Sequence, residues 1–447
     1  MKVINNVTIK NEKEYINNWL SMDKLLKDNG MTWSAGLEPT MESDYTEEEY
    51  CQYVTLSLLE YSNNELTEIQ KISKQLFNVI QKIVDSFYDM SKESKLKILK
   101  ELQFSDYYID LIMHAPKRNL FSYLCRFDFI YDKKNQTYKC IEFNSDTPTG
   151  LLETGMVNSV INDYYDSLNP SIVEKQLVNM WNKVRSDYNI ENEMIHFSAL
   201  GDNQEDRLTV EYSQLHGFNK GMTKFTALED IGVSQDQFVD QDDLPIKNWF
   251  KLFPVEYWEL EDEIFSKPLK DLIKNDEIKV INPISAFLTQ NKLFYALMWS
   301  QTYKNIFNLS EDDINIIRKY CLPTYNNKED IKHIKNYVEK PVFGREGNCV
   351  TIFENNQPVF KDVEHEFTAH YENQPMIYQE YIEMPDLTVE TWDGSYTGKH
   401  LIGSYMIGGE WSGLFNRIGH KITGNLSLVA AYTCKDNYFN KLERKSF

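Results

Sequence analysis

Apolar residues recur at helical spacing through the first third of the chain and at strand spacing through much of its last third. The longest helical stripe lies between residues 69 and 87, and a shorter pattern lies between 91 and 102. Both stripes predict helices that pack against a core, and neither carries chemistry of its own. The members of the longer stripe are Ile69, Ile72, Leu76, Val79, Ile80, Ile83 and Phe87.

The middle of the chain mixes the two patterns. Strand-like spacing begins at Tyr123, helical spacing returns from 148 to about 188, and an apolar strand follows from 194 to 200. A small α/β unit is predicted from 227 to 279, and a helix from about 291 to 303. Strand-rich segments on both sides of an α/β middle predict one catalytic domain interrupted by an insertion.

Chain length and charge narrow the possible functions. With 447 residues the chain is long enough for two or three packed domains. Its 47 Lys and Arg against 68 Asp and Glu give a formal net charge of −21. Phosphate contacts need clustered cationic side chains, so this acidity argues against general nucleic-acid binding. It favours a cationic partner such as a polyamine, although acidity that serves only solubility is the commoner explanation.

Cysteine spacing and hydropathy indicate the compartment. The six cysteines form no CxxC pair and have no histidine at zinc-ligand spacing. The segment MKVINNVTIKNEKEY lacks the apolar stretch of a signal peptide, and no apolar run approaches the length of a membrane span. We therefore predict a cytoplasmic protein with reduced thiols and with neither a membrane nor a nucleic-acid partner.

The segment CRFDFIYDKKNQTYKCIEFNSDTPTG, residues 125–150, predicts a β-hairpin with a polar face. A turn near Asn135 would place Asp128 opposite Glu142 and Arg126 opposite Asn144. Four apolar residues would then lie on the opposite face: Phe127, Phe129, Ile141 and Phe143.

This polar face suits metal and phosphate chemistry. Carboxylate and amide oxygens are hard ligands that suit Mg²⁺ together with nucleotide phosphates. Arg126 beside them could stabilise charge on a transferring phosphoryl group. The alternative is a solvated hairpin face that holds an ordinary ion pair between an arginine and a carboxylate.

The end of the hairpin predicts a helix start. Thr147 suits an N-cap and Pro148 suits the first helical position. The helix N-terminus would then point free N–H groups at an anion beside the metal ligands. An ordinary helix start with no anion is the simpler interpretation.

A second candidate region is the loop in VEKPVFGREGNCVTIF, residues 338–353. Lys340, Gly344, Arg345 and Gly347 could close over nucleotide phosphates. The loop is not a Walker motif, because neither GK[ST] nor a helix follows it. A β-hairpin that uses glycine for turn geometry is the commoner meaning.

Two later segments could complete a nucleotide site. MIYQEYIEMPD, residues 376–386, predicts an apolar strand whose backbone could bind an adenine ring. Farther along, Arg417 follows a glycine-rich turn. Neither segment identifies its role by itself.

Taken in order, the motifs resemble the glutathionylspermidine synthase family. They are RFDF, IEFNSDTPTGLLETG, QNKLFYALMW, KPVFGREGN, YQEY and GSYMIGGEWSGLFNRIGHKITGN, and they run from Arg126 almost to the C-terminus. The resemblance implies ATP-dependent joining of a carboxylic acid to an amine through an acyl phosphate. It also implies ATP and Mg²⁺ as cofactors, with a pair of ions bridging the phosphates.

The resemblance also implies an architecture. We expect an α+β or α/β protein with an ATP-grasp fold in an altered chain order. Residues 1–120 would be mainly helical, and 121–190 would hold the metal-binding hairpin and core helices. Residues 191–290 would form a pre-ATP-grasp-like α/β substrate domain, and 291–447 the nucleotide-binding region.

Site roles carry over position by position from the resemblance. Arg126 and Arg417 would be catalytic arginines near the reacting phosphates, and Asp128, Glu142 and Asn144 would be metal ligands. The positions expected to bind ATP are Arg126, Lys292, Lys340, Glu346, Gln379, Glu380, Tyr381 and Ile382. The positions expected to bind substrate are Thr147, Thr149, Glu205 and Asp206.

The chain also departs from the family pattern. We expect no amidase domain of the kind that bifunctional members carry. A substrate segment that reads Lys-Thr-Trp in the family is Lys251-Leu252-Phe253 here, so a hydroxyl contact is lost. The expected partners are a small acid and an amine, for which the resemblance suggests a thiol peptide and a polyamine. The alternatives are an ATP-binding protein without ligase turnover and a small-molecule phosphotransferase.

Overall fold

The computed structural model describes residues 1–4, 12–35, 52–217, 222–235, 237–261, 263–345, 347–361, 371–424 and 427–435. Its helices are α1 (Glu12–Asp28), α2 (Asn63–Asp89), α3 (Lys92–Glu101), α4 (Asp106–His114), α5 (Asn158–Tyr164), α6 (Val173–Asp187), α7 (Gln204–Gly217), α8 (Glu263–Lys274), α9 (Ile284–Gln290), α10 (Leu293–Trp299) and α11 (Glu311–Tyr320).

The strands of the first half are β1 (Lys2–Ile4), β2 (Leu58–Tyr61), β3 (Leu124–Asp132), β4 (Thr137–Asn144), β5 (Ile195–Ser198), β6 (Thr223–Phe225), β7 (Gly232–Ser234), β8 (Gln237–Val239), β9 (Asn248–Lys251) and β10 (Lys279–Ile281). Those of the second half are β11 (Thr324–Tyr325), β12 (Tyr337–Pro341), β13 (Thr351–Glu354), β14 (Gln357–Lys361), β15 (Met376–Glu380), β16 (Asp386–Thr391), β17 (Gly394–Ile407), β18 (Glu410–Gly419), β19 (Leu428–Ala430) and β20 (Tyr432–Cys434).

Helix α2 confirms the long apolar stripe. It begins with a capping box, in which the Ser62 hydroxyl accepts from the Glu65 amide and the Glu65 carboxylate accepts from the Ser62 amide. Its apolar face is buried and contacts β17 and β18. Ser73 and Ser404 share a 2.8 Å hydrogen bond across this contact. The shorter pattern is also confirmed, since α3 begins directly after an N-cap at Ser91.

A six-stranded antiparallel sheet forms the centre of the molecule, in the order β19-β18-β17-β3-β4 with β16 paired to β17. Phe127 and Phe143 stack with ring centroids 4.5 Å apart. Phe127 pairs with Ser404, so these rings lie on the face against which α2 packs. Burial of that face leaves the opposite face of β3 and β4 for the polar residues.

A five-stranded antiparallel sheet, in the order β11-β15-β12-β13-β14, faces the polar side of the six-stranded sheet. Tyr337 of β12 and Phe353 of β13 stack with ring centroids 4.5 Å apart, which adds to their cross-strand pairing. The predicted strand-rich character of the chain beyond residue 337 is therefore confirmed for the described residues.

A four-stranded parallel sheet, β10-β9-β5-β6, lies in the middle of the chain. Trp181 of α6 packs against Phe197 and Phe250 of this sheet, with ring centroids 4.8 and 5.3 Å away. Parallel strands need helical crossovers, and α7 and α8 lie between the strands in sequence. An α/β unit is therefore present, but it is larger than the predicted 227–279, because β5 and β6 belong to the same sheet.

A three-stranded sheet, β1-β2-β20, joins the two ends of the described chain. Strands β2 and β20 run parallel, with Leu59 opposite Tyr432. The described part of the first 120 residues thus contains two strands as well as α1 to α4. No helix in the described part of the chain is long and apolar enough to cross a membrane.

Candidate active site

The hairpin register is the one that residue spacing predicts. Arg126 lies opposite Asn144, and Asp128 lies opposite Glu142. The ladder closes with Asp132 opposite Thr137. Directly opposed residues of antiparallel strands point to the same face, so the four polar side chains share one face.

One apolar assignment in the hairpin is wrong. Asp128 pairs with Glu142 but Phe129 pairs with Cys140, so Ile141 is the extra residue of a β-bulge. Ile141 therefore leaves the apolar face and packs beside Ile130, in a small cluster on the polar side. Spacing along one strand cannot reveal a bulge, because a bulge is a property of the pairing between two strands.

The predicted helix start is also wrong, by three residues. The helical backbone begins at Leu151, and the Thr154 amide donates to the Gly150 carbonyl at 3.1 Å. Gly150 has a φ of +85°, a conformation that favours glycine. Thr147 is not the cap, because its hydroxyl accepts from Arg345 Nη2 at 3.0 Å. Tertiary contacts keep the chain extended where the local sequence favours a helix.

A cavity of about 190 Å³ lies between the six-stranded and five-stranded sheets. The six-stranded sheet presents the hairpin's polar face and Arg417 to it. The five-stranded sheet presents Lys340 of β12, and residues 379–382 at the end of β15 line the same space. The structure thus brings the two candidate regions together across one cleft.

Asp128 is the centre of a buried charge cluster. Arg126 donates from Nε and Nη2 to its two carboxylate oxygens at 2.7 and 3.0 Å. Arg417 donates from Nη2 to Asp128 Oδ2 at 2.8 Å. Both guanidinium groups lie over the ring of Phe415, 5.6 and 5.1 Å from its centroid. Burial acts to lower the pKa of Arg126, and Asp128 more than reverses this, so Arg126 stays charged.

Glu142 forms a second charged contact in the hairpin. Lys292 Nζ lies 2.9 Å from Glu142 Oε1 and donates to the Gly344 carbonyl at 2.6 Å. Burial acts to raise the pKa of Glu142, but Lys292 and Lys340 overcome it and hold the pKa at about 2. Lys292 therefore connects the hairpin to the loop that follows β12.

Lys340 is the charged side chain of the opposite wall. Its Nζ donates to the Ile141 carbonyl and to Gln379 Oε1, both at 3.0 Å. Burial lowers the pKa of Lys340 to about 8, although the charge of Glu142 opposes the fall. Gln379 is held in turn, because its Nε2 donates to Thr324 Oγ1 at 3.0 Å.

The donor set of the hairpin fits a magnesium ion. Asp128, Glu142 and Asn144 place two carboxylates and one amide beside the cavity. Mg²⁺ is commonly bound by one or two carboxylates and completes its shell with phosphate and water. Within the described ranges there is no group of three or more His, Cys, Asp or Glu positioned to hold a metal. A magnesium site in which nucleotide phosphates supply the remaining ligands agrees with this donor set. It also agrees with the absence of a larger ligand cluster among the described residues.

The predicted substrate residues fall into two places. Thr147 and Thr149 line the cavity, and the Thr149 carbonyl accepts from Arg126 and from the Tyr405 hydroxyl. Glu205 and Asp206 instead lie in the first turn of α7, outside the cavity lining. The structure brings the two threonines to the cavity and does not bring the two acids to it.

Glu153 is a buried acid that sequence reasoning missed; it does not line the cavity, but the charge of Arg126 acts on it. Its side chain is 3% exposed, and its Oε1 accepts from the Tyr53 hydroxyl at 2.7 Å. Burial raises the pKa of Glu153, with Tyr53 opposing the rise. The charge of Glu205 also acts on Tyr53 and raises its pKa. A glutamate within the apolar stretch LLETG is unusual enough to have been a signal, since unpaired Glu is rarely buried.

The sequence places Arg345 in the loop after β12 but does not predict which residues it contacts. Its Nε donates to Glu256 Oε1 at 2.7 Å, and its Nη2 donates to Thr147. It thereby ties the loop after β12 to the α/β unit and to the hairpin. Glu346, which was expected to bind ATP, lies outside the described residues.

Comparison with known proteins decides the family. The family profile described as "Glutathionylspermidine synthase preATP-grasp" matches residues 14–434. The chain belongs to the glutathionylspermidine synthase family. The resemblance seen in the ordered motifs is confirmed, and it places the chain in a family of ATP-dependent, amide-forming ligases.

Individual members of the glutathionylspermidine synthase family are moderately similar to the chain. A putative acid–amine ligase of Haemophilus influenzae is 30% identical over 308 residues, which cover 66% of this chain and 70% of that protein. Trypanothione synthetase of Crithidia fasciculata is 26% identical over 352 residues and 70% of this chain. The chain spans only 47% of that relative's length.

A solved structure supports the fold of this family member. A glutathione synthetase-like effector from Globodera pallida superposes with a TM-score of 0.59 over 95% of this chain and 98% of its own. The sequences are only 10% identical, so this likeness concerns the fold alone. Together with the family match it supports a mixed α/β architecture related to ATP-grasp proteins.

The segment Lys251-Leu252-Phe253, which departs from the family pattern, lies close to the hairpin. Lys251 is fully buried and forms a 2.7 Å ion pair with Asp146, which also accepts from the Val255 amide at 3.0 Å. Leu252 is 7% exposed and packs in the apolar core. The lysine therefore has a structural partner here, while the leucine offers no hydroxyl to a substrate.

Proposed function

We propose that the protein is an ATP-dependent ligase that joins a carboxylic acid to an amine through an acyl phosphate. The observation that carries this is the cavity in which Arg126, Asp128 and Glu142 face Lys340 across two sheets. Acyl-phosphate formation needs phosphate-binding cations, a metal ion and a catalytic arginine in one cleft. This cleft contains candidate residues for phosphate binding, for metal coordination and for the role of catalytic arginine.

We assign the nucleotide to the five-stranded sheet, in an ATP-grasp arrangement of altered chain order. The backbone of residues 379–382 would bind the adenine ring beside an apolar wall, and Lys340 and Lys292 would bind phosphate oxygens. In this proposal residues 291–447 supply the nucleotide region, and 121–190 the catalytic hairpin. Residues 191–290 supply the pre-ATP-grasp-like substrate unit.

We assign the metal and the transferring phosphoryl group to the six-stranded sheet. Asp128, Glu142 and Asn144 would hold Mg²⁺, with a pair of ions as the proposed number. The bound ion shields phosphate charge when ATP is present. Arg126 and Arg417 lie beside Asp128 and would stabilise negative charge as the phosphoryl group moves.

The acid and the amine would approach from the side away from the nucleotide. Thr147 and Thr149, held near Arg345 and Arg126, would bind the acid next to the phosphoryl group. Glu205 and Asp206 would attract a cationic amine toward Tyr53 from the first turn of α7. A thiol peptide and a polyamine are the proposed pair, as the resemblance to the glutathionylspermidine synthase family suggests.

The test is a substrate screen read by mass spectrometry. Purified protein with ATP and Mg²⁺ is offered thiol peptides, amino acids and polyamines in pools, and amide products and released phosphate are both measured. Arg126→Ala serves as the inactive variant. Asp386→Asn, which lies at an exposed position of β16, serves as the surface control. An amide formed with equimolar phosphate by wild type and by the control supports the proposal.

Other outcomes identify the alternatives. Binding of Mg·ATP without phosphate release across the whole screen would indicate an ATP-binding protein that lacks ligase turnover. A phosphorylated acid or alcohol that accumulates without amide would indicate a phosphotransferase. If calorimetry detected no Mg·ATP binding, the cavity could belong neither to a ligase, nor to an ATP-binding protein without turnover, nor to a phosphotransferase.

A further inference from the structure

A second cavity lies behind the edge strand of the five-stranded sheet. Its volume is about 440 Å³, and it is bounded by α10, α11, β11 and the end of α3. Its aromatic wall consists of Trp299, Tyr303 and Tyr325, and Leu293 and Leu297 add aliphatic surface. We call it the Trp299–Arg318 pocket, after the two side chains that stack within it.

Arg318 lines this pocket, and its guanidinium donates no hydrogen bond to any of the described residues. Its guanidinium carbon lies 3.8 Å from the centroid of the Trp299 ring, so one planar face of the cation is covered. Stacking engages the face and leaves the N–H donors at the edge available. Among the described residues no carboxylate lies within ion-pair distance of Arg318. Burial lowers the pKa of this group, as expected for a partly desolvated cation.

Two carboxylates line the same pocket. Glu101 at the end of α3 and Asp330 after β11 both border it, and neither forms an ion pair with a described residue. The pocket thus combines one cation with unused donors, two anions and an apolar wall. The two carboxylates outnumber the one cation, so the pocket disfavours a simple anion, and a simple cation would leave the donors of Arg318 without an acceptor. A ligand that carries both charges matches the full set.

We propose that the Trp299–Arg318 pocket binds a free α-amino acid with an apolar side chain. The ligand carboxylate would accept from Arg318, its ammonium group would approach Asp330 and Glu101, and its side chain would lie against Leu293 and Leu297. The volume is adequate for one such molecule. This inference does not rest on the proposed ligase activity.

The pocket is separated from the nucleotide cavity by β11. Thr324 borders the pocket, and its Oγ1 accepts from Gln379 Nε2 at 3.0 Å. Gln379 lines the nucleotide cavity, where it accepts from Lys340. The amino acid and the nucleotide therefore have separate sites with one shared wall, and both should bind at the same time.

The test uses three probes with one side chain, measured by calorimetry on the full-length protein. L-Phenylalanine carries both charges, L-phenylalaninamide lacks the carboxylate, and 3-phenylpropanoate lacks the ammonium group. We expect L-phenylalanine to bind, and each analogue to bind about tenfold more weakly or worse, because each loses a charge-assisted contact. Saturating Mg·ATP should not displace L-phenylalanine.

Matched variants locate the site. Arg318→Gln should weaken L-phenylalanine binding about tenfold or more, and Asp330→Asn, an exposed position, should weaken it without risk to the fold. Lys319→Gln is the control, since Lys319 is the adjacent residue of α11 and does not line the pocket. The proposal is overturned if wild type fails to bind L-phenylalanine at millimolar concentration, or binds the analogues equally well. Unchanged binding by both pocket variants, or displacement by Mg·ATP, overturns it as well.

Discussion

The two sheets that face each other across the proposed nucleotide cavity hold charge in different ways. The six-stranded sheet carries Arg126, Asp128 and Arg417 as a buried cluster in which every charged group has an oppositely charged partner. The five-stranded sheet presents Lys340, whose ammonium group donates to a backbone carbonyl and to an amide oxygen. One wall therefore holds its charges in direct ion pairs, and the other keeps a cation whose charge is offset from across the cleft, chiefly by Glu142.

This difference suggests that the two walls of the cavity have different roles in the reaction. Groups that are fixed in a paired network lose little freedom during a reaction, which suits the stabilisation of developing charge. A lysine with a lowered pKa and uncharged partners gains most from a new anion such as a phosphate. We expect the first wall, formed by the six-stranded sheet, to determine turnover. We expect the second wall, formed by the five-stranded sheet, to determine nucleotide affinity. Four predictions follow from this comparison, the largest effect first.

Asp128→Asn should have the largest effect because it removes the shared partner of two arginines. We expect the ligand-free protein to lose about 3 kcal/mol of unfolding free energy, because breaking a buried ion pair leaves uncompensated charge. Turnover that depends on Mg²⁺ should be lost as well. Denaturant unfolding and phosphate release measure the two effects. Asp386→Asn, at an exposed position, should change stability by less than about 0.5 kcal/mol.

Arg126→Lys should separate catalysis from nucleotide binding. The lysine keeps the charge but cannot make the two parallel contacts to Asp128, so we expect kcat to fall about 100-fold. The Kd for Mg·ATP should change far less, since nucleotide contacts come mainly from the other wall. Steady-state kinetics and calorimetry check this prediction. A wild-type kcat in this variant would show that Arg126 takes no part in the chemical step.

Gly403→Ala should disturb the first wall without removing any charge. A Cβ at position 403 would lie 2.7 Å from Arg126 Cδ, so the arginine side chain must shift. Small misplacements of catalytic groups are costly, and we expect kcat to fall about tenfold. Gly232→Ala is the matched control, because its Cβ would meet nothing closer than 3.5 Å. Equal kinetics in the two variants would contradict the role given to Arg126 geometry.

The smallest predicted effect is the change in ATP affinity with pH, which should reflect the protonation of Lys340 on the second wall. Lys340 has a pKa of about 8 and is protonated below it, so its charge is lost as pH rises through 8. We expect the affinity for Mg·ATP to fall a few-fold between pH 7 and 9. Glu142, with a pKa of about 2, stays charged throughout and cannot cause the change. Lys340→Arg should flatten the profile in calorimetric titrations, because arginine does not lose its proton in this range.

Much of the hairpin could be predicted from spacing alone. Alternation along each strand placed Arg126 with Asp128 and Glu142 with Asn144, and a turn near Asn135 predicted that Asp128 lies opposite Glu142, as observed. The long stripe of α2 was predictable for the same reason, because helical periodicity marks a buried face. The order of the motifs was sufficient to indicate the family.

Other features depend on contacts that local patterns do not contain. The bulge at Ile141 arises from pairing, and the late helix start at Leu151 arises because Thr147 and Asp146 are held by distant partners. The burial of Glu153 depends on residues a hundred positions away, including Tyr53. The sequence-based assignment of Glu205 and Asp206 to the substrate remains a prediction, since the cavity lining does not include them.

By itself the sequence determined which polar residues share the hairpin face, that the long apolar stripe of α2 is helical, and which family the chain resembles. These properties follow from local periodicity and from motifs that stand close together in the chain. Only the tertiary structure decided that Arg417 reaches Asp128 across 289 positions, and that Lys340 faces Glu142 across a cleft. Such contacts depend on how whole sheets pack against one another, because burial and charge balance are settled over the entire core.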